Sequence, residues 1–217
     1  MLVGETQSNQ AHYLFNMLVK VISFYTEGAY RDYASLLMSS CFRYEVPYEV
    51  SLESKPKTWA EAVSYKPEFI RKMLHGISGW DGALWADADS EFVGRPDFNI
   101  FAQCDMAWHQ FRRTQESNPE WLTGTMWFRK TPSVLAFLSE WAKRMELSRY
   151  TGMFTPEQAS FKDEWLDKPY SLSIRTMDLP PEWVWIHDDF PKIYGDRKPV
   201  IVHKQASRMH RGTILAR

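Results

Sequence analysis

Asp87 and Asp89 stand one residue apart at the end of a short apolar run, Ala83-Leu84-Trp85-Ala86, which follows Gly82. The run reads as a buried strand. Side chains alternate along a strand, so both carboxylates are expected to leave its end on one face. Two carboxylates on one face repel unless a positive charge lies between them. A hard divalent cation, with phosphate oxygens in its remaining positions, is the natural partner. The structural alternative is an Asp-rich strand-to-loop turn, because Asp favours turns.

The elements that must hold this pair lie on both sides of it. Leu18 to Phe24 is β-branched and mostly apolar, as a central parallel strand should be, and Tyr25-Thr26-Glu27-Gly28 is the turn after it. Tyr30, Tyr33, Ala34 and Leu37 fall on one face of a helix. Arg43 to Val50 reads as a second strand and Trp59 to Val63 as a short helical piece. Lys66-Pro67 is expected to start another helix, with Phe69, Ile70, Met73 and Leu74 as its apolar face and Gly76 at its end. Strands alternating with helices predict a parallel sheet with right-handed crossovers, and in such sheets ligands bind beyond the carboxyl ends of the strands. The turn at Tyr25 and the Asp pair both fall at such ends.

Beyond Pro96 the pattern changes. Phe101 to Phe111 alternates loosely, as in a mixed or antiparallel strand, and Arg112 to Pro119 is a charged loop. Trp121 to Phe128 reads as a strand interrupted by Gly124, and a Gly there marks a bulge or the close approach of a ligand. Thr131 caps a helix whose buried stripe is Val134, Leu138, Trp141 and Met145. Thr155-Pro156-Glu157-Gln158 fits a capping box opening a further helix. Trp183 to Ile186 and Val200 to Val202 read as short strands, the last running into His203.

Composition bounds the function classes. A length of 217 residues suits one domain, and 44% hydrophobic with 24% charged residues describes a soluble globular chain with a real core. A net charge of -1 argues against bulk attraction to nucleic acid, though not against a local basic patch. Such a patch is offered by the stretch from Lys192 to Arg217, which holds Lys192, Arg197, Lys198, Lys204, Arg208, Arg211 and Arg217 against the single acid Asp196. The many Trp residues are either core or flat platforms for a sugar or base. Cys41 and Cys104 are far apart and form no C-x-x-C pair, so both are expected to be free thiols in a reducing compartment. No apolar stretch reaches the length of a membrane span, and Met1 to Gln10 has no hydrophobic signal core. The expectation is a cytoplasmic protein without a membrane span, in which residues 1–17 form a tail or edge segment.

The order of these features resembles the GT-A fold of glycosyltransferases that use nucleotide-diphospho-sugars. It runs from the first strand through Lys66-Pro67, Asp87-Ala88-Asp89, Thr123-Gly124-Thr125 and Glu157-Gln158 to Val200-Ile201-Val202-His203. The resemblance implies a Rossmann-like α/β domain over residues 18–217, with a mostly parallel central sheet flanked by helices. It also implies Mn²⁺ or Mg²⁺ on Asp87, Asp89 and His203, bridging the diphosphate of a nucleotide-sugar donor. Tyr25 is then placed to stack on a uracil and Thr26 to bond the ribose or base. Lys66, Thr123 and Gly124 fall on the donor side. In the best-known branch a Gly-Lys-Pro-Trp run follows the late His; here Lys204 or Arg208 would supply the phosphate contact. Gln158 matches a position under the reactive sugar carbon in retaining enzymes, and Glu157 is the base an inverting enzyme would need. The expected activity is metal-dependent, retaining sugar transfer from a UDP-sugar. The acceptor stays open between a saccharide, a protein side chain and a modified DNA base. The alternatives are a nucleotidyltransferase acting on sugar phosphates and an inverting transferase acting on a nucleic-acid base.

Overall fold

The computed structural model describes residues 16–28, 30–54, 56–151 and 155–206. Residues 1–15, with most of the expected tail, and residues 207–217, with Arg208, Arg211 and Arg217, lie outside the described residues. A six-stranded sheet runs through the middle. Its strands are β1 (Val19–Tyr25), β2 (Tyr48–Leu52), β3 (Gly82–Ala86), β5 (Met106–Phe111), β6 (Glu120–Arg129) and β7 (Thr176–Asp178), in the order β2-β1-β3-β6-β5-β7. β1 pairs in parallel with both β2 and β3, and β5 with β7; β6 runs antiparallel to β3 and β5. A small second sheet joins β4 (Ser90–Phe92), β9 (Ile201–His203) and β8 (Trp185–Ile186).

Strand alternation divides the core into two layers. Val19, Val21, Leu84, Ala86 and Trp127 face one side and pack with Leu37 and Cys41 of α1 (Tyr30–Arg43) and with Phe92 and Ile201 of the small sheet. Ile22, Phe24, Ala83, Trp85, Met126 and Phe128 face the other side. There they meet α2 (Trp59–Gly76), α3 (Pro132–Tyr150) and Phe161 of α4 (Glu157–Asp167). Helices therefore cover both faces, and most of the Trp residues are core; Trp59 is an exception at 37% exposed. Both cysteines are free and buried, and burial pushes the Cys41 thiol up to about 12. Gly82 has no room for a side chain, because a Cβ there would lie 2.2 Å from the Phe128 carbonyl oxygen.

Several boundaries differ from those the sequence suggests. Arg43 ends α1 instead of opening a strand: Ser40 and Cys41 are buried on the helix, and the chain turns through Glu45 at φ 57° before β2 begins at Tyr48. The two expected helices around Lys66 are one, with Pro67 inside it. Its start is capped by Thr58, and Glu61 reaches back one residue further than in a capping box. Thr58 accepts from the Glu61 N–H at 3.2 Å, and the Glu61 carboxylate accepts from the Lys57 N–H at 2.6 Å. The box expected at Thr155 and Gln158 does not form. Pro156 holds the N-cap position of α4 without a side-chain bond, and the Thr155 N–H donates to Ser148 instead. Phe98–Phe101 and Pro181–Trp183 are single 3₁₀ turns, which shortens the strands expected there to β5 and β8.

Candidate active site

Asp87 and Asp89 lie in the turn that leads from β3 into β4, not on the strand itself. The Ser90 N–H closes that turn on the Asp87 carbonyl at 2.9 Å. β4 pairs with β9 so that Ser90 stands opposite His203. The turn and the late strand thereby bring two carboxylates and an imidazole together. One ligand atom from each of Asp87, Asp89 and His203 lies within 4.8 Å of the other two.

Each carboxylate is oriented by the protein through one oxygen. Asp87 Oδ1 accepts from the Trp85 indole N–H at 2.9 Å and from Lys66 Nζ at 2.9 Å. Asp89 Oδ2 accepts from the Ala206 N–H at 2.7 Å. The second oxygen of each has no hydrogen bond to the described residues. The His203 ring lies between the hydroxyls of Ser90, 3.2 Å from Nδ1, and Thr125, 2.8 Å from Nε2. Burial holds this imidazole below its ordinary pKa against the opposing pull of Asp89 and Asp87, which keeps it neutral, the form that ligates metals. Gly124 lets the groups approach, because a Cβ there would come 2.8 Å from His203 Cε1 and 3.4 Å from Asp87 Oδ2.

Lys66, 4% exposed, ties this cluster to α4. Its Nζ contacts Glu157 Oε1 at 3.3 Å and the Thr123 carbonyl at 3.5 Å as well as Asp87. Burial alone would push the ammonium down, but Asp87 and then Glu157 carry it above the ordinary lysine value, so it stays charged. The Thr123 hydroxyl donates to the same Glu157 oxygen at 3.3 Å.

Two clefts open on either side of this cluster. The larger, about 630 Å³, lies beyond the carboxyl ends of β1 and β2 and is lined by Tyr25, Thr26, Tyr30, Glu53, Trp59 and Lys66. The smaller, about 330 Å³, is lined by Arg113, Glu120, Gly124, Gln158, Asp189 and His203. Asp87, Asp89, Glu157 and Trp59 line both. Of the residues expected from sequence, Tyr25, Thr26, Lys66 and Asp87 meet in the larger cleft, and Gly124, Gln158 and His203 in the smaller. Thr123 is fully buried and reaches the site through its carbonyl and hydroxyl. Lys204 is turned away, pairing with Glu91 at 2.8 Å, and lines neither cleft.

Two residues of the site escape the sequence reading. Tyr30 reads as part of the core face of α1, yet it lines the larger cleft. Burial first, then the facing Asp89 and Asp87, push its hydroxyl above the ordinary tyrosine range, so it remains a protonated donor. Trp59 reads as the first residue of a helix; only its exposure at the start of α2, where the two clefts meet, sets it apart. Asp105 is a structural acid outside both clefts. It pairs with Arg175 at 2.9 Å and Arg129 at 3.3 Å at the far end of β5.

This architecture is that of a GT-A glycosyltransferase-like fold: a mixed six-stranded sheet flanked by helices, with an acidic turn beyond β3. Among solved structures, the chain is similar to a glycosyltransferase involved in the glycosylation of the major capsid of PBCV-1. The TM-score is 0.65 at 15% identity, over 89% of this chain and 96% of that one. No protein-family model and no curated protein matches the sequence. At that identity the shared property is the fold.

Proposed function

We propose that the protein is a metal-dependent glycosyltransferase that moves a sugar from a UDP-sugar to an acceptor with retention of anomeric configuration. The observation that carries this reading is the convergence of Asp87, Asp89 and His203 at the junction of two clefts, on a glycosyltransferase-like sheet. The donor set suits Mn²⁺ or Mg²⁺: two carboxylates, each with one oxygen left over, and a neutral imidazole, gathered where Gly124 leaves space. Bound there, the cation would neutralise charge developing on the departing diphosphate.

The chain's own residues divide the remaining work. The larger cleft takes the nucleotide, with Tyr25 against the base and Thr26 at the ribose. Lys66 and the Tyr30 hydroxyl face the phosphates as donors. The transferred sugar lies at the junction, beside Trp59. Gln158, free of any capping role, presents a neutral amide to the reacting carbon, and the Thr123 carbonyl adds a second dipole. Glu157 uses one oxygen to hold Lys66 and Thr123 in place.

Release of UDP from UDP-sugars, measured in Mn²⁺ and in chelator, with and without acceptor, tests the reading. Metal-dependent release that rises with acceptor is expected; no release from any UDP-sugar in Mn²⁺ contradicts it. Among the described residues no helix is long and apolar enough to cross a membrane.

A further inference from the structure

His203 has two ring nitrogens, and their surroundings differ. In a neutral imidazole one nitrogen carries the hydrogen and the other a lone pair, and a metal needs the lone pair. Nε2 lies 2.8 Å from the Thr125 hydroxyl, and Nδ1 lies 3.2 Å from that of Ser90. Gly124 shows which nitrogen borders the acidic turn. A Cβ at that position would lie 3.0 Å from Nδ1 and 3.4 Å from Asp87 Oδ2, with Nε2 further off than either. Nδ1 therefore shares the Gly124 space with a carboxylate, while Nε2 meets a threonine that has no exposed surface.

The backbone delivers Thr125 to this contact. On one side of β6, Thr125 stands opposite Ala86 of β3. On the other side the register slips: Trp108 of β5 stands opposite Met126 and His109 opposite Leu122, so Thr123, Gly124 and Thr125 bulge from that ladder. Bulges re-aim side chains beside active sites. This one brings Thr123 to Glu157, Gly124 to Asp87 and Thr125 to His203. The direction of the last bond decides what the ring can do. If Thr125 donated to Nε2, the ring hydrogen would sit on Nδ1, and neither lone pair would be open to Asp87 and Asp89. If Thr125 accepts from Nε2–H, the lone pair is on Nδ1. Without a cation the Ser90 hydroxyl donates to that lone pair; with one, it has only to rotate about its Cα–Cβ bond.

We propose that the Thr125 hydroxyl is a positioning group for the metal: it accepts from His203 Nε2–H, fixes the ring tautomer and so presents Nδ1 as the ligating atom. The proposal rests on a divalent cation binding at Asp87, Asp89 and His203. A ligating histidine generally needs a partner for its other N–H, and removal of that partner weakens metal binding about tenfold to a hundredfold.

The test has two parts. ¹⁵N NMR of the native chain without metal reads the tautomer, the His203 ring being identified by the signals lost in His203→Gln. A protonated Nε2 with a bare Nδ1 is expected, and the reverse overturns the proposal. Calorimetric titration of Mn²⁺ in the presence of UDP then compares three variants. Thr125→Val keeps the branched shape but removes the acceptor, and Mn²⁺ should bind about tenfold to a hundredfold more weakly. Thr125→Ser restores the hydroxyl and should recover most of that loss; a serine variant as weak as the valine one would assign the loss to packing and overturn the proposal. Ser90→Ala removes only the hydroxyl that faces the lone pair and should cost less than Thr125→Val. The opposite order, with Ser90→Ala the more damaging, would make Nε2 the ligand and overturn the proposal while leaving the metal reading intact. A native chain that binds no Mn²⁺ even with UDP overturns the metal reading itself, and the role of Thr125 with it.

Discussion

Lys66 Nζ lies 2.9 Å from Asp87 Oδ1, so a buried ammonium holds the same carboxylate that would serve a metal. The two cations compete when the site is empty of nucleotide and cooperate once a diphosphate arrives. Lys66→Met should therefore act in opposite directions. Mn²⁺ alone should bind more tightly, because a positive neighbour is gone. UDP in the presence of Mn²⁺ should bind about tenfold to a hundredfold more weakly, a loss of about 1.4–3 kcal/mol for a charged hydrogen bond. Calorimetry with each ligand checks both signs, and parallel losses would mean that the site has merely collapsed.

Gly124→Ala places a Cβ 2.8 Å from His203 Cε1. The ring is buried between Ser90 and Thr125 and has little room to give. Metal affinity should fall at least about tenfold, or 1.4 kcal/mol. The melting temperature should fall by only a few degrees, about 2–4 °C per kcal/mol in a chain of this size. An unchanged metal affinity would show that His203 and Gly124 do not shape the site.

The stereochemical reading separates Gln158 from Glu157. Gln158→Ala should lower turnover roughly tenfold to a hundredfold, about 1.4–3 kcal/mol at the transition state, with UDP affinity nearly unchanged. An inverting enzyme would instead be nearly silenced by Glu157→Gln. Proton NMR of the product from an α-linked donor decides: an α-linked product is expected, and a β-linked one rules out retention.

Sequence revealed the fold where one physical signal dominated. The buried runs of β1 and β3 and the stripe Val134, Leu138, Trp141 and Met145 are legible because burial on one face leaves a periodic record. Boundaries were lost where two signals competed. Thr155-Pro156-Glu157-Gln158 has the letters of a capping box but makes no side-chain cap, whereas Thr58 caps α2 through the Glu61 N–H, and no local rule separates the two. The gathering of Asp87 and Asp89 was expected from type and spacing, while Lys66 was singled out only through the family resemblance. Tyr30 and Trp59 were not singled out for the site, because an aromatic at a helix start looks the same whether it faces a core or a cleft.

Asp105 gives a prediction about stability. Hydrogen bonds from Arg175, with burial opposing and Arg129 adding its charge, hold its carboxyl below the ordinary value of 3.8. The folded state therefore binds this proton less tightly than the unfolded chain. Its stabilisation is complete above about pH 4 and is lost as pH falls below that. Asp105→Asn should cost about 1–3 kcal/mol at pH 6 and flatten the loss of stability between pH 4 and pH 2. Denaturant unfolding across that range checks it; a variant as acid-sensitive as the parent would contradict the assignment.

On the proposed function, nucleotide and metal bind as a unit at Asp87, Asp89 and His203. Calorimetric titration of UDP, once in Mn²⁺ and once in chelator, tests it most directly. Binding in Mn²⁺ and none measurable in chelator is expected, with Asp89→Ala abolishing the difference because the metal cage loses one charge while the diphosphate keeps its own. Equal affinity for UDP in both conditions would contradict it.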